Sequence, residues 1–230
     1  MIVLGIETST KIGSAALSRN GKILAEADLT GVMNHSEKLL PAIEKMMLAK
    51  KIGFTDINRI AISTGPGSFT GLRIGITVAR TMAQMLHKEV VSIPTLDCLA
   101  AMAPVSESLV CPLIPAIQEQ VYYALYRCSA GRGCKKITSY RLVNLEKLAR
   151  DLKKYPQNIV FTGEALFSLK ETLLQSWPKK AGFTAPNAWR PTASWVSLLG
   201  AEYSPQPWGK IGPYYIRPSE AELKWNKKGK

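Results

Sequence analysis

The sequence has few residues of the kinds that hold metal ions. It contains 2 histidines and 4 cysteines, and the cysteines (Cys98, Cys111, Cys128 and Cys134) show no CxxC spacing. Zinc sites are built from Cys and His ligands at short, regular spacings. The sequence therefore predicts no metal site. The cysteines are expected to be reduced and mostly buried thiols.

Long hydrophobic runs are also absent. No apolar run approaches the ~20 residues that a membrane-spanning helix needs. The stretch from Met1 to Ile6 has no basic segment before its apolar residues, which indicates a strand and not a signal peptide. We therefore expect a cytoplasmic protein with no membrane association.

Acidic residues are scarce in the second half of the chain. Residues 1–103 carry 11 basic and 8 acidic side chains, a balance of +3, whereas residues 104–230 carry 19 and 9, a balance of +10. A basic surface of this kind attracts RNA phosphates. Pairs such as Lys153-Lys154 are equally typical of an ordinary solvated surface. No RNA-recognition motif or zinc finger is present, so the charge alone leaves both interpretations open.

The densest motif lies between a predicted strand at residues 60–63 and a predicted helix from about Leu72 to His87. It reads Gly65-Pro66-Gly67-Ser68-Phe69-Thr70-Gly71-Leu72-Arg73. Three glycines and one proline in seven positions suit a backbone that turns sharply and exposes amide groups at a helix N-terminus. The motif is neither a P-loop, since no Lys-Ser/Thr pair follows the last glycine, nor a dinucleotide fingerprint. A tight corner without a ligand is the alternative interpretation.

The order of the predicted elements indicates the fold class. Three strands are followed by alternating helices and strands, which is the order of a ribonuclease-H-like α/β unit. The predicted strands are 2–7, 13–17, 23–29, 59–63 and 89–93, and the predicted helices are 35–50, 72–87 and 96–102. Asn20-Gly21 is a strong signal for a hairpin between the second and third strands.

A second unit is predicted to begin near Pro104. Its predicted strands are 109–114, 120–128 and 158–162, its helices are 145–153, 163–175 and 192–202, and residues 176–191 are expected to be irregular. Residues 104–230 thus resemble a reduced version of residues 1–103. Two such units joined at a cleft form the actin/sugar-kinase/Hsp70 architecture.

Four segments resemble the TsaB (YeaZ) family, the bacterial partner subunits in threonylcarbamoyladenosine (t6A) synthesis on tRNA. They are Gly5-Ile6-Glu7-Thr8-Ser9-Thr10, His35-Ser36-Glu37-Lys38-Leu39-Leu40-Pro41, the glycine-rich motif with Gly75, and Tyr214-Tyr215-Ile216-Arg217. The resemblance spans the chain and is dense over residues 1–103. It implies a subunit that activates the related transferase TsaD for threonylcarbamoyl transfer to adenosine 37 of ANN-reading tRNAs.

The same resemblance implies a pseudo-enzyme without a metal of its own. In TsaD a His-x-x-x-His pair holds the metal, and the corresponding positions here are Thr95 and Leu99, which cannot replace imidazole ligands. Glu7, Thr8 and Ser9 stand where kinases of this architecture hold a metal–nucleotide, so they would be a degenerate nucleotide site. Glu7 replaces the Asp usual in TsaB relatives, and hydrogen bonds to nearby backbone are the favoured interpretation of these residues.

The resemblance further implies partners. TsaB proteins pair with TsaD, or with themselves, through the helices of the N-terminal unit. The predicted contact residues on these helices are Leu39, Ile43, Met46, Met47, Leu72, Ile76, Ala79, Met82 and Ala83. Simple burial of both helices is the alternative. The ATPase TsaE would bind the pair, a TsaC-type enzyme would supply the substrate, tRNA would bind through the complex, and ATP or ADP would lie at the partner interface.

Two other functions remain open at this stage. An active nucleotide-dependent enzyme on the same scaffold would need a carboxylate base and a second phosphate loop, and neither is evident. A peptidase would need a nucleophile with a base, but no His lies near Ser68 in the sequence and no Cys–His pairing is suggested.

Overall fold

The computed structural model describes residues 1–29, 35–103, 107–129, 133–178 and 180–216. The predicted unit boundary at residues 104–106 and Arg217 of the C-terminal motif lie outside the described residues. Within them, none of the helices combines the length and the apolar character that crossing a bilayer requires.

The first sheet is built from the N-terminal half of the chain. Its elements and the helices that accompany it are β1 (Ile2–Glu7), β2 (Gly13–Arg19), β3 (Lys22–Leu29), α1 (His35–Ala49), β4 (Arg59–Gly65), α2 (Phe69–Leu86), β5 (Glu89–Pro94) and α3 (Thr95–Ala101). The strand order is β3-β2-β1-β4-β5, with β1, β2 and β3 antiparallel and β1, β4 and β5 parallel. Asn20 and Gly21 both have positive φ, at 49° and 77°, as the predicted hairpin turn requires.

The second sheet repeats this order. Its elements are β6 (Glu107–Pro115), β7 (Gln120–Tyr123), β8 (Tyr126–Ser129), β9 (Gly133–Lys136), β10 (Arg141–Asn144), α4 (Leu145–Lys153), β11 (Ile159–Thr162), α5 (Leu166–Ser176) and β12 (Ala181–Phe183), and α6 (Ala193–Glu202) follows. The main order is β10-β7-β6-β11-β12, and β8 and β9 extend the sheet beside β6. A central first strand with antiparallel neighbours on one side and parallel ones on the other confirms the predicted α/β class.

Three details of the second unit differ from the prediction. The expected strand at 120–128 is divided, because β7 pairs with the end of β6 while β8 pairs with its beginning. The short strands β9 and β10 were not predicted. β12 lies within the segment expected to be irregular, where pairing with β11 and not local pattern makes it a strand.

The cysteine prediction is corrected in part. Cys98 and Cys111 are free and buried, as expected. Cys128 on β8 and Cys134 on β9 are directly opposite each other in the hairpin and form a disulfide. A spacing of six residues gave no sign of this pair, because only the register of the hairpin brings the two side chains together.

Both faces of the first sheet are buried along its central strands β1, β2 and β4. Successive residues of a strand point to opposite faces, so Leu4 and Ile62 pack beneath α1 and α2 while Val3 and Ala61 pack against Val196 of α6. A helix from the far end of the chain therefore covers the face that the N-terminal half leaves open. The division of the chain into two units at residue 103 stays a prediction. α6, which follows the second unit in the sequence, packs on β1, β2 and β4 of the first sheet.

Close approach and an arginine hold α6 in place. A Cβ at Gly5 would collide with the carbonyl oxygen of Ala193, and a Cβ at Gly200 would collide with the side chain of Ala61. At the C-terminal end, Arg59 Nη1 donates to the carbonyl oxygens of Gly200 and Tyr203 at 3.0 and 3.1 Å. Its Nη2 also contacts Glu89 Oε2 at 2.6 Å. A cation at a helix C-terminus is stabilising because it meets the unpaired carbonyls.

One carboxylate joins the two units. Asp97 on α3 accepts hydrogen bonds from the hydroxyls of Tyr126 and Tyr140 on Oδ1, at 2.6 and 2.7 Å, and from that of Tyr203 on Oδ2 at 2.7 Å. Burial, followed by the Asp97 charge, raises the pKa of all three tyrosines, so they remain protonated donors. The tyrosines come from β8, from the segment before β10 and from the end of α6.

Asp97→Ala is expected to lower the free energy of unfolding by about 3 kcal/mol or more, because three tyrosine hydroxyls lose their acceptor. Asp151→Ala is the matched control, since Asp151 accepts from a single tyrosine, Tyr123, and pairs with the partly exposed Arg141. Urea unfolding of both variants provides the comparison. Equal losses for the two variants would contradict the joining role of Asp97.

Candidate functional site

The glycine-rich motif forms the corner between β4 and α2. The chain leaves β4 through a cis Gly65–Pro66 peptide bond. Ser68 caps α2, and its Oγ accepts from the backbone N–H of Gly71 at 3.2 Å. The helix begins at Phe69, three residues before the predicted start, so Phe69, Thr70 and Arg73 lie in its first turns.

The glycines of this corner allow close packing against the turn between β1 and β2. A Cβ at Gly67 would collide with the carbonyl oxygen of Ser9, and one at Gly71 with that of Thr8. The backbone N–H of Ser68 donates to the Ser9 carbonyl at 2.7 Å. The backbone N–H groups of Ser68 and Gly71 are therefore hydrogen-bonded within the protein and do not face a ligand. This favours the interpretation of the motif as a tight corner without a ligand.

Glu7, Thr8 and Ser9 lie at the end of β1 and are buried. Glu7 Oε1 accepts from the backbone N–H of Ser9, as the predicted local bonding requires. Glu7 Oε2, Thr8 Oγ1 and Ser9 Oγ have no hydrogen-bond partner among the described residues. Burial raises the pKa of the Glu7 carboxyl, although the hydrogen bond from the backbone N–H of Ser9 opposes the shift.

These residues do not fit a nucleotide phosphate. The carbonyl oxygens of Thr8 and Ser9 lie against Gly71 and Gly67 at the start of α2, and a carbonyl oxygen repels an anion that would bind a helix N-terminus. A buried carboxyl with a raised pKa also favours the neutral form, which is a poor ligand for a divalent cation.

Thr95 and Leu99, which the resemblance places at the metal-ligand positions of TsaD, are both buried. Thr95 Oγ1 lies 2.9 Å from Ser63 Oγ, and Leu99 is part of the apolar core on α3. Across the described ranges, no group of three or more His, Cys, Asp or Glu side chains could hold a metal ion.

The predicted contact residues on α1 and α2 are buried in this chain, and their role in a partner contact stays a prediction. All nine are buried in the chain's own core: Leu39, Ile43, Met46, Met47, Leu72, Ile76, Ala79, Met82 and Ala83. The sequence of α2 predicts two apolar stripes, the first with Leu72, Ile76, Ala79, Ala83 and Leu86 and the second with Ile74, Val78, Met82 and Met85. The first stripe lies against the sheet. These nine side chains hold the helices in place and are not available at the surface.

The exposed apolar residues of the same helices are different ones. Leu48 is 78% exposed and Met85 is 72% exposed, and each is the penultimate residue of its helix. Leu40 is also exposed on α1. We call Leu40, Leu48 and Met85 the outer helix face. Met85 belongs to the second predicted stripe of α2, and its position opposite the buried stripe is the signal that identifies this face.

The raised pKa of Glu7 makes stability depend on pH. The pKa of Glu7 is higher in the folded chain than in the unfolded chain, where it is near 4.5. The protonated carboxyl therefore contributes its full stabilisation of the fold below about pH 4.5. This stabilisation is lost as the pH rises through the folded pKa. Glu7→Gln is therefore expected to melt at a higher temperature than the wild type at pH 7, with the difference shrinking towards pH 4.

Thermal melting between pH 4 and 8 measures this effect. Glu44→Gln, an exposed change on α1, is the control and is expected to follow the wild-type curve. Parallel curves for Glu7→Gln and the wild type would refute the role of the buried carboxyl.

Comparisons with known proteins identify the family. The family model of TsaD, tRNA N6-adenosine threonylcarbamoyltransferase, matches residues 23–195. The chain is 30% identical over 226 residues to the tRNA threonylcarbamoyladenosine biosynthesis protein TsaB of Bacillus subtilis, and the match covers 98% of each chain.

Solved structures agree on the fold. A Pseudomonas aeruginosa protein described as similar to peptidase YEAZ superimposes with a TM-score of 0.79 at 24% identity, covering 94% of this chain and 99% of that one. The ROK hexokinase of Thermus thermophilus gives a TM-score of 0.50 at 12% identity, covering 88% and 98%. These likenesses place the fold in the actin/sugar-kinase/Hsp70 class. The chain belongs to the TsaB (YeaZ) family of tRNA threonylcarbamoyladenosine biosynthesis proteins.

Proposed function

We propose that this chain is the non-catalytic partner subunit of t6A synthesis. It binds TsaD and activates it for threonylcarbamoyl transfer to adenosine 37 of tRNAs that read ANN codons. The observation that carries the proposal is the closed glycine-rich corner in a member of the TsaB family. Since the carbonyl oxygens of Thr8 and Ser9 pack directly against Gly71 and Gly67, the proposal assigns this chain a role in binding and not in chemistry of its own.

The outer helix face is the proposed contact with TsaD. Leu48 and Met85 are large apolar side chains in the last turns of two neighbouring helices, and solvent exposure of such a pair is unfavourable in a free monomer. Methionine adapts its shape to a partner surface. The same face would support self-association when TsaD is absent.

Activation requires no reacting group from this chain. A partner that binds one conformation of TsaD better than another shifts the population by its differential affinity. The metal is carried by TsaD, and ATP or ADP is held where the two chains meet, because the glycine-rich corner of this chain is closed. TsaE binds the pair, a TsaC-type enzyme supplies the threonylcarbamoyl donor, and the complex works on tRNA in the cytoplasm.

A peptidase is the second candidate, because the Pseudomonas aeruginosa structure is described as similar to one. A serine peptidase needs a base within hydrogen-bond reach of its nucleophile. Ser68 and His87 stand at opposite ends of α2, about 28 Å apart along the helix axis. The Ser68 hydroxyl is also engaged in capping. The distance between Ser68 and His87 therefore argues against a catalytic Ser–His pair. The close packing of the glycine-rich corner argues against a nucleotide-dependent enzyme.

The deciding experiment is threonylcarbamoyl transfer to an ANN-reading tRNA transcript by the cognate TsaC, TsaD and TsaE, with and without this chain. Modified adenosine is expected only when the chain is present, and the chain alone is expected to hydrolyse neither ATP nor casein. Unchanged transfer without the chain would overturn the proposal. Turnover of ATP or casein by the chain alone would establish one of the enzyme alternatives.

Single substitutions on the outer helix face test the proposed contact. Leu48→Glu and Met85→Glu are each expected to weaken TsaD binding at least tenfold, because a carboxylate would be buried in an apolar interface. Both residues are exposed, so the melting temperature of the isolated chain should not change. Binding is measured by titration calorimetry with purified TsaD.

Leu174→Glu is the matched control for this test. Leu174 is an exposed leucine on α5 of the second unit, so the chemical change is the same at a different place. Its affinity for TsaD should equal that of the wild type. Equal weakening by all three variants would show that the outer helix face has no special role.

A further inference from the structure

A row of aromatic and basic side chains crosses the surface where the start of α2, the end of β9 and the C-terminal segment meet. We call it the aromatic strip. It consists of Phe69, Arg73, Lys136, Tyr140, Tyr214 and Tyr215.

One end of the strip is a stack on the first turn of α2. The rings of Phe69 and Tyr215 are stacked with centroids 5.2 Å apart and planes at 23°. The Arg73 guanidinium carbon lies 3.9 Å from the Phe69 ring centre, and Arg73 Nε donates to the Tyr215 hydroxyl at 3.2 Å. Phe69 and Tyr215 remain 37% and 40% exposed in this stack.

The other end is formed by Tyr214 and Tyr140. These rings meet edge to face with centroids 5.3 Å apart, and Lys136 Nζ lies 3.6 Å from the centre of the Tyr140 ring. The backbone N–H of Tyr214 donates to the carbonyl of Thr64, which fixes this residue to the end of β4. The Tyr214 side chain is the most open part of the strip, with half of the residue exposed.

The charges of the strip are not neutralised locally. Arg73 and Lys136 contact aromatic rings, and neither takes part in an ion pair within the described part of the chain. The nearest carboxylate in contact with the strip is that of Asp97, which lies behind Tyr140 and accepts three tyrosine hydroxyls. Residues 217–230, which follow directly in the sequence, add five Lys or Arg and two Glu.

We propose that the aromatic strip binds the unpaired bases of an RNA loop. Tyr214 and Tyr215 are the stacking platforms, and Arg73 and Lys136 contact the phosphates. Exposed aromatic rings interleaved with cations recognise single-stranded nucleic acid, because every base has a face that stacks and every linkage carries a negative charge. A duplex hides its bases and would gain only the electrostatic part. The inference rests on the proposed function, which supplies a tRNA, and it names the surface of this chain that the RNA contacts.

Fluorescence anisotropy with the isolated full chain tests the inference. The probe is a labelled RNA stem–loop whose loop carries an ANN-reading anticodon, and a blunt duplex of the same stem is the comparison. Tyr214→Leu and Tyr215→Leu are each expected to weaken stem–loop binding about fivefold or more without changing duplex binding, because leucine keeps the apolar bulk but removes the stacking face. Lys136→Gln should reduce the slope of log affinity against log salt by about 0.7.

Lys154→Gln is the matched control. Lys154 also lies over an aromatic ring, that of Tyr155, but on the C-terminal end of α4 and outside the strip. It should leave both the affinity and the salt slope unchanged, and all variants should melt at the wild-type temperature. The inference would be overturned if both tyrosine variants bound the stem–loop with wild-type affinity. It would also be overturned if Lys154→Gln lost as much stem–loop affinity as the variants of the strip.

Two further outcomes separate this inference from the proposed function. If the tyrosine variants lose TsaD binding while RNA binding is intact, the strip is a protein contact and the inference fails. If the isolated chain binds no RNA but threonylcarbamoyl transfer still requires the chain, the inference fails and the proposed function stands. Threonylcarbamoyl transfer that proceeds equally well without this chain would overturn the proposed function, whatever the RNA measurements show.

Discussion

The first sheet must be covered on both faces, and the rest of the structure follows from this constraint. β1, β2 and β4 are buried along almost their whole length, so neither face of the sheet can meet water. The N-terminal half supplies cover for one face, through α1 and α2. The other face is covered by α6, which begins at residue 193. Burial of that face therefore requires the chain to complete the second unit and return to the first.

The same packing closes the site that kinases of this architecture use for chemistry. Gly67 and Gly71 let the β1–β2 turn lie directly against the start of α2, and Gly5 lets α6 approach from the other side. Glu7 is consequently buried among protein groups, where desolvation favours its neutral form and raises its pKa. The glycine-rich motif therefore packs against the protein's own backbone at the β1–β2 turn.

The surface carries two features with different chemistry. The outer helix face is apolar and belongs to the two helices that cover the first sheet, which suits a protein partner. The aromatic strip combines exposed tyrosines with cations, which suits RNA. Both are built on elements that the core fixes, since the nine buried residues of α1 and α2 anchor one and the Asp97 cluster supports Tyr140 in the other.

The sequence by itself determined the α/β class, the succession of strands and helices in the N-terminal half, the Asn20-Gly21 hairpin and the family, because these depend on local periodicity, turn chemistry and short motifs. It could not determine which stripe of α2 is buried, since both stripes are apolar and only the sheet selects one. The Cys128–Cys134 pair and the convergence of three tyrosines on Asp97 were equally hidden. These contacts join residues far apart in the chain or opposite each other in a hairpin, and only the tertiary structure, through strand register and the return of α6, decides which side chains meet.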